Sequence, residues 1–172
     1  VLIYTADATI YNTSYYLQDG SDPTKYNLEE TVLTNSKTGY SVNAVINSYE
    51  GYTHNPSATN TKLTGTVEAN GTLHLHVYYD ANTNTGYKVE HYLEQADGSY
   101  VVKDTENLTG KTNTKVTAVS KTYAGYTFNN SIEGTLESGI VASDGSLVLK
   151  LYYTLNEHPS IAVNASYKVE HY

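Results

Sequence analysis

The residues best suited to metal chemistry lie in one short stretch of the chain. His74 and His76 alternate on a predicted strand, so both imidazoles would lie on one strand face, a spacing that can chelate zinc or copper. Asp80, Asn82 and Asn84 follow at two-residue intervals, as oxygen ligands do at the start of a calcium loop. The glycine that such a loop needs comes one position late, and a histidine stands where its last ligand should be a glutamate.

The chain contains two copies of one module, and this bears on every candidate site. The triplet Gly-Tyr-Thr at residues 51–53 returns at residues 125–127, 74 residues later, and the Tyr-Tyr pair that ends each copy has the same offset. The string YKVEHY occurs at residues 87–92 and again at residues 167–172. A repeat of this period indicates an array of small units, which provides length, stiffness or many weak binding sites.

The metal candidates do not recur in the second copy, where Val148 and Lys150 replace the two histidines. We therefore interpret His74 and His76 as part of a solvated strand face and the asparagines as linker, and we predict no metal and no cofactor. Catalytic arrangements are missing as well: there is no cysteine, no G-x-S-x-G turn and no histidine at matching positions of both copies. The sequence predicts that the protein is not an enzyme.

The module boundaries follow from the matches between copies. We predict a closing strand of a preceding repeat at 1–5, module 1 at 10–80, a linker at 81–86, module 2 at 87–154, a linker at 155–166 and the first strand of a following repeat at 167–172. The chain is therefore expected to be an internal piece of a longer array. Its two partial strands are expected to pair with neighbouring sheet edges, because an unpaired edge is a template for another strand.

The charge of the chain argues against two classes of partner. It has 10 lysines, no arginine and 18 acidic residues, which gives a net charge of −8. Nucleic acids and anionic membrane surfaces both require clustered basic side chains, so neither is an expected partner. The sequence also has no apolar run long enough to insert into a membrane.

Alternating apolar residues predict the strands of each module. In the closing strand of module 1, Leu73, Leu75, Val77 and Tyr79 would face inward and alternate with outward residues. Asn-Gly or Asp-Gly pairs ahead of the closing strands and Asp-Gly pairs after the opening strands favour hairpin turns.

Between the two predicted hairpins the period changes to that of a helix. Val42, Val45, Ile46 and Tyr49 fall at the spacing of one helical face, and a glycine follows where a helix would end. The matching residues of module 2 are Val116, Val119, Ser120 and Tyr123. The predicted fold class is α+β, mainly β, with tandem β-grasp (ubiquitin-like) ββαββ modules; the alternative is a pair of all-β sandwich modules.

Tyrosine supplies 19 residues, and most of them match between the copies. The matched pairs are Tyr11/Tyr87, Tyr16/Tyr92, Tyr26/Tyr100, Tyr49/Tyr123, Tyr52/Tyr126, Tyr78/Tyr152 and Tyr79/Tyr153. By strand parity, Tyr16 and Tyr78 of module 1, and Tyr92 and Tyr152 of module 2, face outward. They are the candidate ligand-binding residues, because an aromatic face suits the apolar face of a sugar; the alternative is cross-strand aromatic pairing.

The order of motifs resembles the mucin-binding protein (MucBP-like) repeats of Gram-positive bacterial surface proteins. In module 2 the motifs are YKVEHY at residues 87–92, Asp-Gly-Ser at 97–99, Thr-Gly at 109–110, Gly-Tyr-Thr at 125–127 and the closing stretch 144–153. The resemblance covers nearly the whole chain as two copies. It implies a β-grasp module, an extracellular place on a cell-wall-anchored adhesin, and possible contact with host mucin; no binding residue is carried over from the family.

Two functions remain open from the sequence. The first is a stalk or spacer that holds other parts of an adhesin away from the cell. The second is a multivalent module that binds mucin or other surface glycans through its outward tyrosines, with weak sites strengthened by repetition. In both, the neighbouring repeats of the same chain are partners.

Overall fold

The computed structural model describes residues 6–157, which form twelve β-strands and no helix. In chain order the strands are β1 (Ala8–Gln18), β2 (Tyr26–Lys37), β3 (Ser41–Asn43), β4 (Tyr52–His54), β5 (Thr64–Thr66), β6 (His74–Ala81), β7 (Thr85–Glu94), β8 (Tyr100–Gly110), β9 (Lys115–Thr117), β10 (Tyr126–Phe128), β11 (Ser138–Ile140) and β12 (Val148–Leu155). The predicted partial strands at 1–5 and 167–172, and the linker from residue 158 onward, lie outside the described residues.

The first six strands and the last six form two modules of the same topology. Module 1 has a four-stranded sheet in the order β2-β1-β6-β4, and module 2 has the matching order β8-β7-β12-β10. The two central strands of each sheet are parallel to one another, and the outer strands pair antiparallel. A two-stranded sheet completes each module, β3 with β5 and β9 with β11.

The core lies on one face of each four-stranded sheet and is built mainly from the closing strand. The predicted alternation is confirmed: Leu75 and Val77 are fully buried and Tyr79 is 1% exposed. Leu149 and Leu151 hold the matching positions in β12 and are equally buried. Each module therefore has a core of its own, in which tyrosine takes a place that leucine or phenylalanine commonly fills.

The predicted helix is wrong. Residues 44–49 and 118–123 have no regular secondary structure. Val45 is 66% exposed and Ile46 is 46% exposed, so the apolar residues that suggested one helical face do not share a buried face. Valine and isoleucine lose side-chain freedom in a helix, and the backbone here bonds elsewhere: the Tyr15 hydroxyl donates to the carbonyl of Val45 at 3.1 Å.

The β-grasp fold class is wrong for the same reason, because that fold needs the helix to cover its sheet. The described residues are all-β, the class given as the alternative. In place of the helix, each module covers its sheet with an extended segment and the small two-stranded sheet. No helix of membrane-spanning length and hydropathy occurs among residues 6–157.

Candidate functional site

The four candidate tyrosines form two stacked pairs, one on each module. Tyr16 of β1 lies opposite Tyr78 of β6 in the parallel register, and their rings stack with centroids 4.7 Å apart and planes 12° apart. Tyr92 of β7 and Tyr152 of β12 repeat this arrangement at 4.7 Å and 16°. The four rings lie on the outer face of the sheet, where each is half-buried by its neighbours.

A third tyrosine completes each cluster and was not among the candidate residues. Tyr26 of β2 stands edge-on to Tyr78 at 5.1 Å, and Tyr100 of β8 stands edge-on to Tyr152 at 5.2 Å. The signal for them was available, because Tyr26 and Tyr100 match between the copies at the start of the second strand. We call Tyr16, Tyr26 and Tyr78 the module 1 platform, and Tyr92, Tyr100 and Tyr152 the module 2 platform.

The strand register explains why these rings meet. In each module the antiparallel hairpin has one register shift. The pairing skips one residue of β2 opposite Tyr15 and Tyr16, and one residue of β8 opposite His91 and Tyr92. A bulge of this kind adds a residue to one strand and re-aims the side chains beside it. The same displacement in both copies keeps the two platforms alike.

Two hydroxyl groups of the platforms donate to carboxylates and are held protonated. Tyr26 donates to Asp80 at 2.5 Å, and burial together with this hydrogen bond raises the pKa of Tyr26. Tyr92 donates to Glu90 at 2.5 Å, and that bond raises the pKa of Tyr92 to about 12. These hydroxyl oxygens therefore keep lone pairs that could accept a hydrogen bond from a ligand.

The two platforms differ in what lies beside the stacked rings. His76 of β6 packs beside Tyr16 with ring centroids 5.8 Å apart. In module 2 the matching residue is Lys150, whose ammonium lies 5.9 Å from the centre of the Tyr92 ring. A cation over a tyrosine ring is a favourable contact, but it occupies a face that a sugar would need.

A groove of about 680 Å³ opens beside the module 1 platform. Its walls are the three platform tyrosines, Pro23 and Thr24 on one side and residues 57–60 on the other. Asn60 has a left-handed backbone, with φ of 71°, and the matching residue of module 2 is Gly134, with φ of 89°. The groove thus combines aromatic rings with polar groups, and Asn60 gives it a side-chain amide that Gly134 of module 2 lacks.

The oxygen ligands proposed for calcium are engaged by the protein itself. The carboxylate of Asp80 accepts hydrogen bonds from Tyr26 at 2.5 Å and from the side-chain amide of Asn55 at 2.9 Å. The side-chain oxygen of Asn82 accepts the hydroxyl hydrogen of Thr53 at 2.7 Å, and Asn84 is exposed. Asp80 and Asn82 therefore already have hydrogen-bond partners within the protein.

His74 and His76 lie side by side, with ring centroids 4.8 Å apart, as their spacing on a strand predicts. His74 Nε2 shares a hydrogen bond of 3.0 Å with the Ser14 hydroxyl. Burial lowers the pKa of His76. Within residues 6–157 no third histidine, cysteine or carboxylate joins a group of this kind to complete a metal site.

The junction between the modules is a second functional feature, and sequence reasoning treated it only as a linker. Strand β6 ends at Ala81 and β7 begins at Thr85. Between them, the backbone N–H of Asn82 donates to the carbonyl of Gly51 in module 1 at 2.9 Å. The carbonyl of Asn82 accepts the N–H of Thr112 in module 2 at 2.8 Å. Asn82 is therefore bonded to both modules.

The side chain of Thr112 connects the modules directly. Its hydroxyl donates to the Gly51 carbonyl at 2.9 Å and lies 2.6 Å from the hydroxyl of Thr85. A carbonyl can only accept, so Thr112 supplies the first hydrogen and Thr85 supplies the hydrogen between the two hydroxyls. Thr112 is 1% exposed; its bond with Thr85 is buried, and its bond with Gly51 is partly buried.

Two glycines of module 1 allow this close approach. A Cβ on Gly51 would lie 2.8 Å from the Cα of Ser143, and a Cβ on Gly20 would lie 2.4 Å from the carbonyl oxygen of Asn113. Gly51 also has φ of 77°, which disfavours other residues. Both contacts cross the junction, so the two modules meet backbone to backbone.

No protein-family model matches this chain, and no curated protein matches it. Solved structures are similar to it, among them the following two. Domains 3–4 of the Streptococcal High Identity Repeats in Tandem (SHIRT) of a cell surface protein match with 14% identity and a TM-score of 0.28, over 84% of this chain and 98% of theirs. The type 2 repeat of the mucus binding protein MUB from Lactobacillus reuteri matches with 12% identity and a TM-score of 0.21, over the same shares.

The first neighbour is a pair of repeat domains from a cell surface protein, and the second is a repeat of a mucus binding protein, the kind of repeat that the sequence resembles. Both TM-scores are low, and the likeness therefore carries no inference about what this chain binds or does.

Proposed function

We propose that this chain is a non-catalytic spacer segment of an extracellular, cell-wall-anchored bacterial adhesin. In this role its modules are stiff links that hold other parts of the adhesin away from the cell. The observation that carries the proposal is the junction at Gly51 and Thr112, which joins the two modules through partly buried hydrogen bonds.

The length and bonding of the connection support stiffness. A flexible linker needs backbone that is free of both modules, but Asn82 bonds to module 1 through its N–H and to module 2 through its carbonyl. Bending at this point would break these bonds and expose the Thr85 and Thr112 hydroxyls. Each such bond contributes about 1 kcal/mol, so the sum exceeds thermal energy several times over.

The charge of the chain agrees with a spacer. A net charge of −8 keeps neighbouring molecules apart and favours solubility. Repetition of one module is also an economical route to length, because each copy folds around its own core.

The proposal is tested by measuring the distance between the modules. Ser57 and Ser131 are matching exposed residues, one in each module, and the chain has no cysteine to interfere with labelling. We expect spin labels on the Ser57→Cys, Ser131→Cys double variant to give one narrow distance distribution. The control carries a Gly-Ser-Gly insertion between Asn82 and Thr83 and should give a broad one. Equally broad distributions in both chains would contradict the spacer.

The groove beside the module 1 platform favours a second candidate function, multivalent binding of mucin or other surface glycans. Its aromatic walls would contact the apolar face of a sugar, and the polar groups of residues 57–60 would contact hydroxyls. We propose module 1 as the stronger site, because Lys150 covers Tyr92 in module 2. Weak sites of this kind gain strength when many copies act together.

The binding candidate is tested on immobilised mucin and a glycan panel. The informative variant is Asn60→Gly, because module 2 already has glycine at this left-handed position and the fold should not suffer. Loss of sugar-competed binding in this variant would support the groove. No binding by the unaltered chain at high concentration would leave the spacer as the function.

A further inference from the structure

We infer that each outer end of the two-module unit carries one half of the Gly51–Thr112 junction, and that each half docks another copy of the same repeat. The inference rests on the proposed spacer function and names the partner surface that a longer array would use. It concerns the far end of module 2, around Gly125, and the near end of module 1, around Thr38.

The far end of module 2 reproduces the module 1 side of the junction. Gly125 has φ of 81°, against 77° for Gly51. Its carbonyl accepts the N–H of Asn156 at 2.9 Å, just as the Gly51 carbonyl accepts the N–H of Asn82 at 2.9 Å. The backbone that receives a following module is thus already formed.

The side chains around this end are also the same. The Thr127 hydroxyl donates to the side-chain oxygen of Asn156 at 2.7 Å, and the Thr53 hydroxyl donates to that of Asn82 at 2.7 Å. These bonds orient the asparagine whose carbonyl must accept the next module's threonine N–H.

The ends of module 1 and module 2 differ in what lies beside the glycine of the turn. A Cβ on Gly51 would meet Ser143 of the next module at 2.8 Å, whereas a Cβ on Gly125 would meet nothing within 4 Å among the described residues. The space beside Gly125, Leu155, Asn156 and Glu157 is an open cavity of about 270 Å³. The Gly125 carbonyl therefore has room for the hydroxyl that Thr112 supplies to Gly51.

The near end of module 1 reproduces the module 2 side of the junction. Thr38 stands where Thr112 stands, 74 residues earlier. Its N–H donates to the carbonyl of Asp7 at 3.0 Å, as the N–H of Thr112 donates to the carbonyl of Asn82 at 2.8 Å. The next residue has a left-handed backbone in both modules, with φ of 84° at Gly39 and 61° at Asn113.

Thr38 lacks the partners that Thr112 has. Its hydroxyl oxygen is buried, and within the described residues it makes no hydrogen bond. Thr112 gives its hydrogen to the Gly51 carbonyl of the preceding module. The carbonyl of a preceding repeat's Gly-Tyr-Thr turn would give Thr38 the acceptor that Gly51 gives Thr112. The occupant of both ends is therefore a further copy of this repeat.

The far end is tested by extending the chain by one module. A second copy of residues 82–155 is inserted after Leu155, so that its Asn82 takes the place of Asn156. We expect Gly125→Ala to lower Tm by about 4 °C or more beyond its effect in the two-module chain, because its Cβ now meets Ser143 of the added copy. Equal effects of Gly125→Ala in the two chains would overturn the inference for this end.

The near end is tested in the chain as it stands. Thr38→Val removes a hydroxyl that has no partner, so we expect Tm to stay the same or rise, whereas Thr112→Val should lower it by several degrees. A loss at Thr38 as large as that at Thr112 would overturn the inference for the near end.

Failure of this inference is distinguishable from failure of the spacer. The spacer fails if the distance between labels at Ser57 and Ser131 is broad in the unaltered chain. The docking inference alone fails if that distance is narrow but the added module leaves the effect of Gly125→Ala unchanged.

Discussion

Thr112 of module 2 donates its hydroxyl hydrogen to the backbone carbonyl of Gly51 in module 1 at 2.9 Å, in a partly buried hydrogen bond. These residues are far apart in sequence and belong to different modules, so the bond connects two units that otherwise fold around their own side chains. A bond of this kind restrains orientation as well as distance, because the same carbonyl also accepts the N–H of Asn82. The junction is thus a defined contact surface and not a tether.

The close backbone approach at Gly20 gives the most direct test of this contact. We expect Gly20→Ala to destabilise the junction by about 1–3 kcal/mol, because its Cβ would lie 2.4 Å from the Asn113 carbonyl oxygen, which is part of the rigid backbone. Gly86→Ala is the control, since a Cβ there meets nothing within 4 Å. The measurement is the label distance between modules, which should broaden for Gly20→Ala only. An unchanged distribution in the Gly20 variant would show that the approach is looser than described.

The last buried tyrosine of the closing strand is Tyr79 in module 1 and Tyr153 in module 2, and the hydrogen bonds of their hydroxyl groups differ. The Tyr153 hydroxyl accepts the N–H of Lys121 at 2.9 Å and is 2.9 Å from Nδ1 of the buried His91. In module 1, Tyr15 takes the position of that histidine. We therefore expect Tyr153→Phe to cost about 1 kcal/mol more free energy of unfolding than Tyr79→Phe, because the buried Nδ1 of His91 loses its partner. Equal costs in urea unfolding would contradict this assignment.

Module 2 should lose stability in acid through Glu106. The carboxylate of Glu106 lies 2.7 Å from Nε2 of His91 and 3.4 Å from the ammonium of Lys121, and the hydrogen bond with His91 is the main cause that lowers the pKa of Glu106. A carboxyl whose pKa is lower in the folded state stabilises the fold above its unfolded pKa of about 4.3, and this stabilisation is lost as pH falls through the lower folded pKa.

The acid dependence is measured by urea unfolding at a series of pH values. We expect Glu106→Gln to be less stable at neutral pH and to lose less stability than the unaltered chain as the pH falls below about 4. The control is Glu133→Gln, at an exposed position, which should follow the unaltered chain. A Glu106→Gln variant with the same acid slope as the unaltered chain would refute the role of this carboxylate.

Metal ions should leave the stability of the chain unchanged. The side-chain oxygens of Asp80 and Asn82 are engaged by Tyr26, Asn55 and Thr53, and binding a cation would require these bonds to break. We expect the same Tm with calcium, with zinc and with a chelator. A ligand that binds only the folded state raises Tm by mass action, so a rise of several degrees with either ion would show that a site exists.

Much of each module was predictable, because its causes are local. The closing strands follow from apolar residues at every second position, and the burial of Leu75, Val77 and Tyr79 agrees with that pattern. The stacked pair of Tyr16 and Tyr78 also follows from strand parity. The helix did not form, although its spacing was correct, because the carbonyl of Val45 bonds with the Tyr15 hydroxyl, a partner that periodicity does not reveal.

The amino-acid sequence by itself determined that the chain is a repeat, where its copies match and which strand positions face the core, since these depend on neighbours along the chain. Only the tertiary structure decided what the matched residues do. Thr38 and Thr112 have the same residue type at the same place in the repeat, yet the hydroxyl of Thr112 has partners and that of Thr38 has none among the described residues. The reason is that hydrogen bonding across the junction depends on which surface lies opposite, and that is set by the packing of one module against the next.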